Sequence, residues 1–570
     1  MAKFFIGLVT GVVLVVLAFI LLFFAALRFR EKPPVVASNS VLVLRLDGEV
    51  PEKPPVEMPE FLGGGKPSIT ISGIWQNLKK AAADPKIVAV VLQPEGIQGG
   101  WAKLEEIRSD VEQFRKSGKP VFAYLRTPSA RDYYVALAAD RIYLGPSDPL
   151  MLKGMRAELM YFKNTLDKIG VSVDVEHAGK YKDFGDMFTR TSMSPETREV
   201  IDSVLDGLYG NLVRRIGEAR KKSPQETQAL IDQGPFTAEK ALAAGLVDEL
   251  RFEDQMWGEL QGRLKSGEPP KVSIEKYSRV ETSGARTKVA LVVGEGDIVR
   301  GDPNDTGAGE AALTSYGFNK LLKSVENDST IKGVIVRINS PGGEVTASDD
   351  MWREMNVLSK KKPVVISMSD LAASGGYYMA MADARIIAYP ETETGSIGVV
   401  FGKPNLRGLY DKLGITKDAL QRGRHASIDS DYTPLTPDER ALLRQGIDES
   451  YRDFVQKVAD ARKRPVADIE PVAQGRVWLG AQAKDCGLVD ELGGLEAALD
   501  AVRKKANIGA SEQVNIVTYP GRRSILDLLL RRSQEDVLET KLQAVFGRVP
   551  FRAWMAGGYL RIMPQWLSIQ

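Results

Sequence analysis

The chain repeats itself. DPKIVAVVLQ (84–93) is matched by DSTIKGVIVRI (328–338), GKPVFAYLR (118–126) by KKPVVISMS (361–369), RDYYVALAADRIYLGP (131–146) by GGYYMAMADARIIAYP (375–390), and AGLVDEL (244–250) by CGLVDEL (486–492). Matches in the same order at an offset that stays near 244 imply a tandem duplication, not chance patterning. Whatever the first half builds, the second must build too. A chain of 570 residues also exceeds what one hydrophobic core organises, so two domains are the natural reading.

Within each half, short Val/Ile-rich runs alternate with amphipathic segments such as ISGIWQNLKKAAAD and SYGFNKLLKSVEND. That alternation is expected of strands buried on both faces with crossover helices between them, an α/β fold. The expected organisation is an entry and linker over 28–68, a first repeat domain over 41–265, a linker over 266–288, a second repeat domain over 289–520 and a C-terminal helical extension over 521–570. The extension contains ILDLLLRRSQEDVLETKLQAVF, which has helical spacing and is expected to pack on the body or on another subunit. GGGK in the first linker is not a phosphate loop, because the Gly-x4-Gly-Lys spacing is missing and Pro67 follows the lysine.

Ahead of both halves, residues 4–27 form an uninterrupted apolar run. At about 1.5 Å per residue it reaches roughly 36 Å, enough to span a hydrocarbon layer of about 30 Å, and it exceeds the usual apolar region of a cleaved signal peptide. One transmembrane anchor is expected. Arg28, Arg30 and Lys32 after the span outnumber Lys3 before it, which leans toward a cytoplasmic body, although large following domains translocate largely regardless of charge. The net charge of +2, with no basic stripe, argues against a nucleic-acid partner. With one cysteine, Cys486, and two histidines, His177 and His425, the chain cannot build a Cys/His zinc cluster or an internal disulfide.

Ser374, in DLAASGGYY, sits where a strand gives way to a helix and is a candidate nucleophile. An N-cap serine is the plain alternative, but glycines at 375 and 376 cost a helix start roughly 1 kcal/mol each, and close approach of another backbone is a reason to accept them. A serine hydroxyl needs a base. Histidine is scarce, no Gly-x-Ser-x-Gly elbow occurs, and the Ser-x-x-Lys pairs (Ser273/Lys276, Ser329/Lys332, Ser359/Lys362) lack their accompanying elements. Comparing the halves is more informative. Ser374 falls opposite Ala130, and EHAGKYKDFGDMFTRTSMSPETRE (176–199) aligned with QRGRHASIDSDYTPLTPDER (421–440) puts Lys182 opposite Ala426. Each half keeps one group and has alanine in place of the other, as expected of one composite site.

These elements, NSPGGEVTAS (339–348), AASGGYY (372–378), TGSIGVV (394–400) and GKYKDF (179–184), resemble the signal peptide peptidase A family in its long, membrane-anchored, two-repeat form. The resemblance covers nearly the whole chain. It implies two tandem domains of the crotonase or Clp-protease type, each a spiral of ββα units, with Ser374 as nucleophile and Lys182 as general base. It further implies that Ser396 orients the lysine, and that the N–H of Gly343, completed by that of Ser374 or Gly375, forms an oxyanion hole, with Gly342 the less favoured donor. A base lysine must be neutral, so its pKa has to fall from about 10.4 to roughly 7–8, which burial between the repeats can supply. Lys180 is expected to stay solvated and His177 to be structural. No metal or cofactor is expected. The resemblance also implies peptide substrates such as remnant signal peptides, a homotetramer, and a body on the outer face of a bacterial inner membrane. A crotonase-type acyl-CoA enzyme and an inactive membrane scaffold are the competing readings; neither has a use for a serine and a lysine kept at complementary positions.

Overall fold

The computed structural model describes residue 11 and residues 34–54, 69–264, 267–280, 286–302, 312–521, 559–563 and 568–569. The apolar run 4–27 therefore lies, apart from Gly11, outside the described residues, among which no helix is long and apolar enough to cross a membrane.

The apolar runs IVAVVL and VFAYL have no polar face to show to water, so they form strands covered on both sides. In the first half a parallel sheet runs in the order Glu249–Leu250, Arg141–Leu144, Val121–Leu125, Ile87–Gln98, Ser40–Glu49, Lys271–Ser273. In the second, Glu491–Leu492, Arg385–Ala388, Val364–Ala373, Ile331–Ser340, Thr287–Glu295 and Val514–Tyr519 take the same places in the same order. The duplication read in the letters is thus a duplication of mixed α/β architecture. Within the expected linker 266–288, Lys271–Ser273 pairs with Ser40–Glu49 as the outermost strand of the first sheet, and Thr287–Glu295 of the second sheet begins at its end.

A third sheet belongs to neither half alone. Its order is Leu313–Thr314, Ile298–Val299, Gly342–Glu344, Tyr559–Ile562, Val399–Asn405, Ser172–Ala178. The last of these comes from the first half and lies antiparallel on Val399–Asn405, with register from Ala178↔Val399 to Ser172↔Asn405. Of the expected helical extension 521–570, the helically spaced stretch 525–546 lies outside the described residues, and the described pieces 559–562 and 568–569 are strands paired with open backbone edges of the body.

The halves share one core. Val289, Leu291, Ile335, Leu495 and Leu499 of the second pack in the same buried cluster as Leu44, Val90, Leu104 and Phe114 of the first. Polar groups cross the same boundary. Helix Trp101–Arg115 starts after Gly100, which has no side chain to cap it, and Asp370 of the second half accepts from the N–H groups of Gly100 and Lys103, each at 2.8 Å. A Cβ on Gly100 would lie 2.6 Å from an Asp370 carboxylate oxygen, so this contact requires glycine.

Glu391, 3 % exposed, lies between Arg385–Ala388 and Glu393–Gly395, where burial, with the charge of Glu105 adding, pushes its carboxyl up to about 8. The folded state therefore holds a proton that the unfolded chain releases near 4.5, so this group's contribution to stability is fully present below about 4.5 and is lost as pH rises through about 8. Urea midpoints at pH 6 and pH 9 are expected to fall less for Glu391→Gln than for the parent chain.

Candidate active site

Buried strand Val364–Ala373 delivers Ser374 to the start of the short helix Gly375–Met379. There Ser374 adopts φ 53°, ψ −114°, a conformation costly for a residue with a Cβ. It is held by its own N–H, which donates to Gly395 O at 2.8 Å, and by its carbonyl, which accepts from Tyr378 N at 2.8 Å. The helix is pinned in turn: Tyr377 Oη donates to Leu488 O at 2.8 Å, and Tyr378 Oη to Asp349 Oδ1 at 2.6 Å. Its first turn presses on the Ser-Pro-Gly-Gly turn, since a Cβ on Gly376 would lie 2.6 Å from Ser340 O.

The first-half counterpart decides between cap and nucleophile. Ala130 opens helix Ala130–Ala136 behind Ser129, which is in relaxed extended geometry and closes a capping box with Asp132. Ser374 makes no side-chain cap bond to its helix. Its hydroxyl is committed elsewhere.

Its partner is Lys182. The strand Ser172–Ala178, laid on the second half, ends at a loop fixed by Tyr181 N donating to Gln474 O at 2.8 Å and Lys182 N to Gly179 O at 3.1 Å. Lys182 and Ser374 are both 0 % exposed. Lys182 Nζ lies 2.8 Å from Ser374 Oγ, 2.9 Å from Ser396 Oγ and 3.0 Å from Ser396 O. The structure thus brings together the three side chains picked from the sequence, across the two halves. Ser396 is itself at φ 50°, its N–H donating to Arg476 O at 2.7 Å. Ser396 O can only accept from the amine, so a neutral Nζ that donates to both Ser396 oxygens turns its lone pair toward Ser374 O–H.

Lys180 is exposed, its Nζ 3.5 Å from Tyr181 Oη, and exposed His177 has Nδ1 3.1 Å from Gly179 O. Next to the lysine, burial pushes the Asp183 carboxyl up to about 6 despite a hydrogen bond from Thr197.

Of the candidate oxyanion donors, the N–H of Ser374 is taken by Gly395 O, and that of Gly342 donates to Ser340 Oγ at 3.2 Å. Gly375 is the first helical residue, whose N–H has no acceptor within its helix. Gly343 lies in the adjacent strand as register partner of Arg561, and a Cβ there would meet Ile298 C at 2.7 Å.

Two residues of the site were not singled out from the sequence. Gln474 holds the lysine loop, and Gly475, at φ +77°, sits so close that a Cβ would lie 2.6 Å from Lys182 N. Their signal is the repeat itself, since Gln474-Gly475 recurs as Gln233-Gly234. Among the described residues no His/Cys/Asp/Glu group is arranged to hold a metal ion.

The sequence profile of peptidase family S49 matches this chain twice, over residues 113–265 and 356–509, and that of Clp protease matches residues 311–394. Among similar proteins, "Serine protease SPPA, chloroplastic" of Arabidopsis thaliana is 36 % identical over 491 residues, covering 85 % of this chain and 71 % of that one. "Protease 4" of Salmonella typhi is 31 % identical over 83 % of this chain and 77 % of its own length, and "Protease 4" of Haemophilus influenzae 30 % identical over 86 % and 84 %.

The backbone at Ser374 makes a prediction independent of any activity. Ser374→Ala and Ser374→Gly both delete the hydroxyl, but only glycine relieves the positive φ. Chemical denaturation is expected to find the glycine variant more stable than the alanine variant by about 1 kcal/mol.

Proposed function

The chain belongs to peptidase family S49 and is a serine protease of the Clp-protease-like fold, and from that premise we propose a membrane-anchored endopeptidase working through a Ser374/Lys182 dyad. The observation that carries this reading is the 2.8 Å approach of Lys182 Nζ to Ser374 Oγ in a site to which each half contributes one group.

Neutral Lys182 takes the Ser374 proton as Oγ attacks a peptide carbonyl, and the N–H groups of Gly343 and Gly375 receive the developing oxyanion. The lysine then gives its proton to the departing amine, leaving an acyl-enzyme. Water enters, Lys182 takes its proton, and a second tetrahedral intermediate collapses to release the acid and regenerate Ser374. Ser396 keeps the amine aimed throughout. Burial of Lys182 disfavours the ammonium and favours the base form. The apolar run 4–27 anchors the chain in a bacterial inner membrane, with the body on the periplasmic side as a homotetramer, and the substrates are remnant signal peptides or similar apolar peptides. Protease accessibility on intact cells and spheroplasts tests the orientation, and light scattering in detergent tests the assembly.

Hydrolysis of a fluorogenic apolar peptide by the full chain in detergent is the direct test of the dyad. Ser374→Ala and Lys182→Ala are each expected to lower kcat by about 1,000-fold or more, and substantial activity in either variant rejects it. The acylation rate should rise with pH through a midpoint well below about 10.4, because only the unprotonated lysine accepts the proton. Gly475→Ala, which crowds Lys182 without touching Ser374, is expected to cost about 100-fold in kcat with little change in KM.

A further inference from the structure

Lys182 is buried although Lys180, two residues before it, is exposed, so the base sits directly under the surface. What covers it comes from the other half. Gln474 and Gly475 hold the backbone of the lysine loop, and the next residue, Arg476, reaches both sides of the base. Its carbonyl accepts from Ser396 N at 2.7 Å, fixing the turn whose two oxygens meet Nζ. Its guanidinium donates to Tyr181 Oη at 3.4 Å and to Glu199 of helix Pro195–Arg220, and lies 5.2 Å from the Tyr181 ring centre and 4.4 Å from that of Trp478. Tyr181 Oη in turn donates to the Glu199 carboxylate at 3.1 Å.

The counterpart positions carry none of this set. Helices Pro195–Arg220 and Pro437–Arg462 have the same length, which puts Ala441 opposite Glu199. Tyr181 falls opposite His425, and the first-half match to Gln474-Gly475-Arg476 is Gln233-Gly234-Pro235. Cation, carboxylate and phenol thus come together once, from both halves, and they do so beside the lysine. An exposed ion pair adds little to folding, and the Glu199 side chain is 47 % exposed. Its effect is local. It closes a ring that runs from Nζ through Ser396 to the Arg476 carbonyl, and from the Arg476 guanidinium through Tyr181 back to the lysine backbone.

We propose that Arg476, clamped by Glu199 and Tyr181, is a positioning residue for the reaction: it holds the lysine loop closed on the Ser396 turn and keeps Nζ dry and aimed at Ser374. The proposal rests on the reading of Lys182 as the general base. Arginine suits the place because its planar fork bonds and stacks at once. When the clamp opens, water reaches Nζ and the Ser396 turn loosens, so the ammonium form regains favour and less of the amine is both neutral and aimed. The other titratable groups around the lysine are His177, Lys180 and Asp183 on its own loop, Glu470 bonded to Gln474, and Asp370 and Glu393 on the strands leading to Ser374 and Ser396. None of these belongs to the clamp.

Arg476→Gln and Glu199→Gln remove opposite charges, so a direct Coulomb effect on the lysine would move the pH midpoint of acylation in opposite directions. The clamp moves it one way. In the full chain both variants are expected to raise the midpoint by about one pH unit, and the double variant no further than either single. For a fluorogenic peptide, kcat should accordingly fall about ten-fold at pH values below the midpoint and recover to within about two-fold at about pH 10, with KM changed less than about two-fold. Opposite shifts, an unmoved midpoint, a loss that persists at high pH, or additive effects overturn the proposal. A second measurement needs no turnover, because acetic anhydride labels only an amine that is neutral and reachable. In Ser374→Ala chains, labelling of Lys182 relative to exposed Lys153, read by mass spectrometry, is expected to rise at least about five-fold on adding Arg476→Gln or Glu199→Gln. Unchanged labelling overturns the proposal as well. If no chain hydrolyses peptide, the protease reading has failed, and the labelling still decides whether the clamp covers the lysine.

Discussion

Everything at the site depends on one cross-half ladder, the antiparallel pairing of Ser172–Ala178 with Val399–Asn405. Seven residue pairs in register carry a first-half loop onto the second half and fix where Lys182 ends. Side chains lock the same crossing. Arg440 bonds Asp174 at 2.5 Å and also reaches Glu176, and Arg444 bonds Glu176 at 2.7 Å, tying the strand to helix Pro437–Arg462. Burial disfavours the charged form of Glu176, yet the guanidiniums of Arg444 and Arg440 hold its carboxyl below the usual carboxylate range. A single one-residue slip of this ladder would turn every side chain over and take the lysine out of reach of the serine.

A second set of contacts holds the halves where the chemistry is. Arg337, 1 % exposed on strand Ile331–Ser340, donates to Glu52 at 2.9 Å, to Glu106, and to Ser369 at 3.1 Å, binding two first-half carboxylates from within the second-half sheet. Asp370 follows Ser369 and caps the first-half helix. The strand that presents Ser374 and the one that leads to the Gly-Gly turn are therefore both fastened to the other half, a few residues from the reacting atoms. A buried ion cluster adds little net stability against an apolar packing of the same shape, but it tolerates few alternative alignments. Its worth here is in register.

How much of this was legible in the letters differs by kind of interaction. The parallel sheets were readable because strands buried on both faces must be continuously apolar, as IVAVVL is. Ser374 and Lys182 were readable because duplication turns one sequence into an alignment of two, and a group kept once beside an alanine stands out; Ser396 was reached only through the family resemblance of TGSIGVV. Gln474 and Gly475 were recoverable by the same comparison, but their work is done by a backbone carbonyl and a missing side chain, which leave no chemical signature. Asp370 as a helix cap was not readable, since the helix it caps begins far away at Gly100. Nor was YLRI at 559–562: four residues carry no periodicity, and what makes them a strand is the pair of open edges on either side.

The two halves also show where strain is tolerated. Ala130 and Ser374 occupy equivalent places, yet the first half places its positive φ at Thr127 (φ 43°) and caps the helix with Ser129, whereas the second half places it on Ser374 itself, at φ 53° with no cap bond. Both strand-to-helix turns carry one non-glycine residue at positive φ, and only in the second half does it fall on the residue whose Oγ faces Nζ of the other half. The same reasoning separates Lys182 from Ala426: the first-half loop is buried against Gly475, whereas its second-half counterpart lies in a solvent-facing turn over 424–429 with no active-site role to keep it buried. Division of one site between two diverged copies thus leaves each half folded and neither half sufficient, and makes packing between them a condition for chemistry.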